Sequence, residues 1–176
     1  MKQHLFAALL ATAALPVQAG QPFPITGFEL SRFAGTWYEI AKYPDWAQRH
    51  CIAETSVQFS LDESKQFAVV RHCRTENGDI EEKRGLARPL GGPNSARMEV
   101  SFAAPWLQLV PAVWSDYWVI DLDPKYQLTA ISDATRQRLW ILSRTPHVDP
   151  QTYQTLLERL ALSGFDIDKL TVTPQP

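Results

Sequence analysis

A chain of 176 residues, 45% of them hydrophobic, can bury one good core and has no length to spare for a second large domain. Its 17 basic and 19 acidic residues give a formal net charge of −2, and the basic ones are scattered, which argues against nucleic acid as a partner.

Residues 1–19 read as a secretory signal, with Lys2 as the positive start, an uncharged apolar run over 5–15 and Val17-Gln18-Ala19 as a small-residue cleavage site. The run is too short to span a bilayer, so cleavage is expected before Gly20. Residues 20–176 then form a single exported domain in which, without Lys2, 16 basic residues face 19 acidic ones. No other stretch is long and apolar enough to be a membrane span.

One helical turn is expected over 30–33, just before Gly35. The first strand is predicted over 37–43 and ends at Pro44, which cannot donate to a sheet ladder. A second strand over 52–60 alternates, with Ala53, Thr55, Val57 and Phe59 on one side. Turn chemistry over 61–65 leads to a third strand from 66, with Phe67, Val69 and Arg71 facing one way. Asn77-Gly78 marks the next turn. A fourth strand over 80–87 breaks at the Pro- and Gly-rich segment 89–93, and a fifth over 96–102 sets Met98, Val100 and Phe102 on one face. Beyond a long connection come strands over 117–122, 126–131 and 138–143. A helix starts at Asp149 as cap with Pro150 in its first position and runs to Leu162, carrying an apolar stripe of Tyr153, Leu156, Leu157, Leu160 and Ala161. Residues 167–172 can add a short last strand. Many short strands joined by hairpin loops indicate an antiparallel sandwich or barrel, and periodicity leaves that choice open.

Cys51 and Cys73 are equidistant from a turn centred near Asp62, so they face each other across two strands. In an exported chain that favours a disulfide, worth about 3 kcal/mol in the chain-entropy model. His50 and His72 precede the cysteines and complete a zinc-type set, but neighbours on a strand point to opposite faces. We therefore expect surface histidines and no metal site.

Alternation places Glu39, Ala41 and Tyr43 of the first strand on the inward side. The second and third strands add Thr55, Val57, Phe59, Phe67, Val69 and Arg71. Met98, Val100, Phe102, Tyr117, Val119, Trp140 and Leu142 complete the set. Such a face either packs into a solid core or holds a lipid tail with its polar head near Arg71, Glu39 or Tyr117. The connection 103–114 has no charge and exposes Trp106, Leu107, Leu109 and Trp114 to the question of what covers them. It is a lid over a cavity, a lip that touches a membrane surface, or a loop packed on its own barrel or on a dimer partner; both monomer and homodimer remain open.

Three motifs carry a family resemblance. Gly35-Thr36-Trp37-Tyr38-Glu39-Ile40-Ala41, Asp116-Tyr117-Trp118-Val119-Ile120-Asp121-Leu122 and Leu139-Trp140-Ile141-Leu142-Ser143-Arg144-Thr145-Pro146 resemble, in order, the three lipocalin motifs. The similarity runs from about 28 to 170 and is greatest to the bacterial (Blc-like) group, which also resembles apolipoprotein D. It implies an all-β fold, an eight-stranded antiparallel up-and-down barrel with one C-terminal α-helix packed outside, open at the end where the 103–114 loop lies. It also implies a structural role for Gly35, Trp37 and Arg144, the arginine lying across the tryptophan at the closed end. The expected function is binding, storage or transport of a fatty acid, lysophospholipid or similar lipid in envelope maintenance; the alternative is a lipocalin-fold enzyme acting on a bound lipid or isoprenoid. No nucleophile-elbow, phosphate-loop or metal-cluster motif is found, so no catalytic residue and no cofactor is assigned. Bacterial relatives often carry a lipid-modified Cys at the cleavage site, and this sequence has none there. The expected location is the periplasm or the medium, with association to the outer membrane left open.

Overall fold

The structure is a computed structural model and describes residues 22–61 and 67–176. The secretory signal and, of the turn expected over 61–65, all but Leu61 lie outside the described residues; Leu61 ends a strand. A short helix α1 (Leu30–Phe33) precedes β1 (Gly35–Lys42), β2 (Cys51–Leu61), β3 (Phe67–Thr75), β4 (Ile80–Pro89) and β5 (Arg97–Ser101). There follow β6 (Ser115–Leu122), β7 (Leu128–Ser132), β8 (Leu139–Ser143), helix α2 (Pro150–Leu162) and β9 (Thr171–Val172). Eight antiparallel strands run up and down in sequence order, and β1 closes the barrel by pairing with both β8 and β2.

Local chemistry explains most boundaries. Strand β7 begins two residues later than expected because Tyr126 adopts a left-handed φ of 59° in a turn organised by Asp123, whose carboxylate accepts from the Lys125 and Leu128 amides. Helix α2 has the expected limits, its N-terminus capped by Asp149 accepting from Thr152 N at 2.9 Å. Of its apolar stripe, Leu156 and Leu160 are fully buried on the outer faces of β1, β7 and β8, whereas Ala161 lies on the exposed edge. Covered by α2 outside and the core inside, β7 and β8 are buried at every position.

Two departures follow from the ladder. The β2–β3 register sets Val57 opposite Arg71 and Cys51 opposite Thr75, with irregularities near Ala53, so the cysteines are diagonal neighbours and not direct partners. Their Cα atoms are still 5.4 Å apart, and the Cys51–Cys73 disulfide forms. In β1 a bulge between Glu39 and Ala41 inverts the alternation. Beyond that bulge β1 leaves β2, and the seam is filled by the chain's last segment: β9 pairs with Ala41 and Lys42, Thr173 N donates to Ile40 O, and Glu54 N donates to Pro174 O. The expected strand over 167–172 thus shrinks to β9, behind a 3₁₀ turn over Ile167–Lys169.

Candidate functional site

One end of the barrel is solid. Gly35, at a left-handed φ of 106°, turns the chain from α1 into β1 so that Trp37 enters the core, where its ring meets Phe33 at 4.9 Å and its Nε1 donates to Phe33 O. The Arg144 guanidinium carbon lies 3.9 Å from the Trp37 ring centroid, and its nitrogens donate to the carbonyls of Arg32, Phe33, Ala34, Thr36 and Tyr126. It ties α1, β1 and the β6–β7 turn together across the base.

The other end is hollow. A cavity of about 290 Å³ opens between the β1–β2 connection (Asp45, Ala47, Gln48) and the base of the β5–β6 loop (Ala103, Val113). Of the expected inward residues, Glu39, Val57, Val69, Arg71, Val100, Phe102, Tyr117 and Trp140 line it, with Thr55 and Leu142. Six others do not. Phe59, Phe67, Met98 and Val119 sit below the floor in the packed half, where Phe59 stacks on Phe67 and touches Tyr117 at 5.8 Å. Tyr43, with Ala41, faces helix α2 on the outside, because the β1 bulge shifts both off the inward side.

The bulge turns Lys42 inward in their place, where its Nζ stands 2.9 Å from Glu39 Oε1. Glu39 is 3% exposed, and its carboxylate also accepts from Thr173 Oγ1 at 2.7 Å. Neither Lys42 nor Thr173 is expected beside Glu39 from the sequence; nothing in the local alternation marks a bulge. Lys83, Asp116 and Arg138 also join the wall or rim unannounced. Arg71 is 8% exposed, and burial pulls its guanidinium below the ordinary range, opposed by Glu81, Glu39 and Asp45. It remains a cation, since arginine does not deprotonate in proteins. Burial drives the Tyr117 phenol far above its usual range, so the floor is neutral there. At the rim Phe102 stands with its ring centroid 5.5 Å from the Arg71 guanidinium carbon; its side chain fits over Gly85, where a Cβ would collide with it and with Ser101 O.

The 103–114 loop contains two 3₁₀ turns and swings to the outside of the barrel. Trp114 packs on the outer wall, 4.0 Å from the Arg88 guanidinium, and donates to Gln108 O. Trp106 and Leu109 are 73% and 89% exposed, and neither they nor the half-buried Leu107 line the cavity. The loop is therefore not folded into the barrel as a lid.

His50 and His72 are partly exposed and pair with carboxylates, His50 with Glu81 at 3.0 Å and His72 with Glu82 at 2.9 Å. His50, Glu81 and the two cysteine sulfurs cluster, but both sulfurs are spent in the disulfide and offer no thiolate.

A closed up-and-down barrel with a packed base and one aromatic-floored cavity, reached between loops, defines a calyx-type binding protein. Residues 28–175 match the lipocalin-like domain. The chain is 35% identical over 154 residues to temperature-induced lipocalin-1 of Arabidopsis thaliana, covering 86% of this chain and 81% of that one. It is 31% identical over 173 residues, 94% of each chain, to the outer membrane lipoprotein Blc of Escherichia coli (strain K12). Apolipoprotein D of Mus musculus is 29% identical over 155 residues, 84% of this chain and 77% of its own. In fold, the cockroach allergen Per a 4 superposes with a TM-score of 0.66 at 20% identity, covering 90% of this chain and 94% of that one. The chain belongs to the lipocalin family, whose members bind small hydrophobic ligands.

Proposed function

We propose that the barrel takes up a single-tailed lipid, a fatty acid or lysophospholipid, and stores or carries it in the cell envelope without altering it. The observation that carries this reading is the half-filled interior: a 290 Å³ hollow with Val57, Val69, Val100, Tyr117, Trp140 and Leu142 around its lower part. That volume is at the low end of the roughly 300–1,000 Å³ of small-molecule sites, which favours one tail over two. Each methylene removed from water contributes about 0.8 kcal/mol, and after association costs an affinity of roughly micromolar to nanomolar remains.

Export to the periplasm or the medium is supported by the charged, apolar and small-residue order of residues 1–19. Transient contact with a membrane surface is supported by Trp106 and Leu109, which stand in solvent on the β5–β6 loop, and by the exposed Trp46 on the β1–β2 connection.

The test is mass spectrometry of small molecules extracted from protein purified under native conditions. A single-tailed lipid in the extract is the expected result. Recovery of none, with no binding of a fluorescent fatty acid, overturns the proposal, and chemical turnover of the extracted ligand overturns its passive character.

A further inference from the structure

We infer that the cavity contains a built anion site, made by the Arg71 guanidinium and the Thr55 hydroxyl, which selects amphiphiles carrying a carboxylate or phosphate group over neutral ones. The inference rests on the lipid-binding reading and specifies its ligand.

Both groups belong to the cavity wall. Arg71 is 8% and Thr55 is 2% exposed. Arg71 Nη2 and Thr55 Oγ1 are buried and have no hydrogen-bond partner. A buried donor without an acceptor is costly, more so on a charged group, and native structures keep such groups where something else completes them. The two come from adjacent strands: Arg71 is the ladder partner of Val57, two residues along β2 from Thr55.

Nearby acids do not complete Arg71. Glu81 Oε1 is 3.6 Å from Nη2, too far for a hydrogen bond, and meets His50 Nε2 at 3.0 Å. Glu39 is held by Lys42 and Thr173. Asp45 accepts from its own turn at Ala47 N, and Asp116 accepts from Ala134 N. Lys83, the ladder partner of Arg71 on β4, adds a second cation 4.0 Å from Glu81. Arg71 and Lys83 are balanced in sum by Glu81 and Asp45, and the Glu39–Lys42 pair cancels, so what distinguishes this wall is the open hydrogen-bonding capacity of Arg71 and Thr55. An oxyanion has the charge and the acceptor lone pairs that Arg71 and Thr55 lack. A neutral hydroxyl can accept from one of the two but brings no charge to the buried guanidinium, and hydrogen bonds between ionised partners are the stronger ones.

The experiment compares three ten-carbon probes by calorimetry on the full chain: decanoate, decyl phosphate and decanol. The wild-type protein is expected to bind at least one of the two anions about tenfold or more tightly than decanol. The better anion identifies the oxyanion as carboxylate or phosphate. Arg71→Met is expected to weaken that anion by about tenfold or more and leave decanol within about threefold, and Thr55→Val to weaken it by roughly three- to tenfold. Equal binding of decanol and both anions by the wild type overturns the anion site and leaves the lipid reading standing. Failure to bind any of the three overturns both. Equal losses for anion and alcohol in Arg71→Met make Arg71 a packing residue and overturn the site; if that variant does not fold, the wild-type comparison decides alone.

Discussion

Thr173 donates a 2.7 Å hydrogen bond to Glu39, joining the chain's last strand to the wall of the cavity across 134 positions of sequence. The contact exists because β1 and β2 part beyond Tyr38 and the segment 171–175 fills the seam, where Gln175 Nε2 also donates to the carbonyls of Glu39 and Thr55. The carboxylate lies inside the barrel and has Lys42 as its other partner.

Removing the hydroxyl leaves a buried carboxylate oxygen short of a donor, a loss of about 1–3 kcal/mol. Thr173→Val is expected to lower the urea midpoint by that loss divided by the slope, the slope itself being unchanged. A wild-type midpoint in this variant shows the seam to be held by its backbone bonds alone.

The base of the barrel depends on one side chain. Arg144→Ala strips donors from carbonyls of Arg32, Phe33, Ala34, Thr36 and Tyr126 and uncovers the Trp37 ring. A loss of about 2–4 kcal/mol is expected in denaturant titration, and Arg144→Lys restores little of it because an ammonium cannot reproduce the planar fork. Gly35→Ala strikes the same point from the other side: its Cβ would lie 2.9 Å from Arg144 Nη1 at a φ of 106°. Full stability in Arg144→Lys would show that charge alone suffices.

The Cys51–Cys73 bridge closes a segment of 22 positions between strands already paired. Reduction, or Cys51→Ser with Cys73→Ser, is expected to lower stability by about 3 kcal/mol through the entropy of the unfolded chain. In a domain of this size that corresponds to a drop of roughly 6–12 °C in melting temperature. An unchanged melting temperature in reductant, with both thiols shown to be free, contradicts the entropic account.

Acid sensitivity follows from four carboxyls. The Arg74 hydrogen bonds hold Glu54 below its ordinary pKa, the His50 contact does the same for Glu81, that of His72 for Glu82, and the Thr152 amide for Asp149. A carboxyl whose pKa is depressed by folding contributes stability above its unfolded value and loses it as pH falls through the folded one. The melting temperature is therefore expected to decline as pH drops below about 4.3, the unperturbed value for Glu. Glu81→Gln removes one of these groups and makes the decline shallower. An identical acid profile in the variant assigns the sensitivity to other groups.

The exposed tryptophan and leucine of the β5–β6 loop give the proposed membrane contact its own test. Trp106→Ser with Leu109→Ser is expected to weaken binding to anionic phospholipid vesicles about a hundredfold or more in sedimentation, since each buried apolar side chain contributes roughly 1.5–3 kcal/mol. The cavity, which neither residue lines, should keep its affinity for a fluorescent fatty acid. Vesicle binding equal to that of the wild type rules the lip out.

The sequence alone determined the strands, the helix and the family, because those signals are local or nearly so. Alternation over β2 and β3, the Asp149-Pro150 start of α2, and the three motifs are each written within a few residues of chain. The disulfide partners were legible for the same reason, since a hairpin brings them together whichever of the neighbouring registers it adopts. The depth of the hollow was not. Whether inward side chains meet depends on pairs from strands that are not neighbours in the sheet, such as Phe59 with Tyr117 and Tyr117 with Trp140, whose separation of 5.8 Å in each case sets the floor. The β1 bulge was equally hidden, because it is fixed by how β1 meets β8, and it decides that Lys42 reaches the buried Glu39 while Tyr43 faces α2. Local periodicity tells which side of a strand a residue occupies, but the far wall of a barrel is built by residues many positions away, and only their convergence in space settles what remains empty.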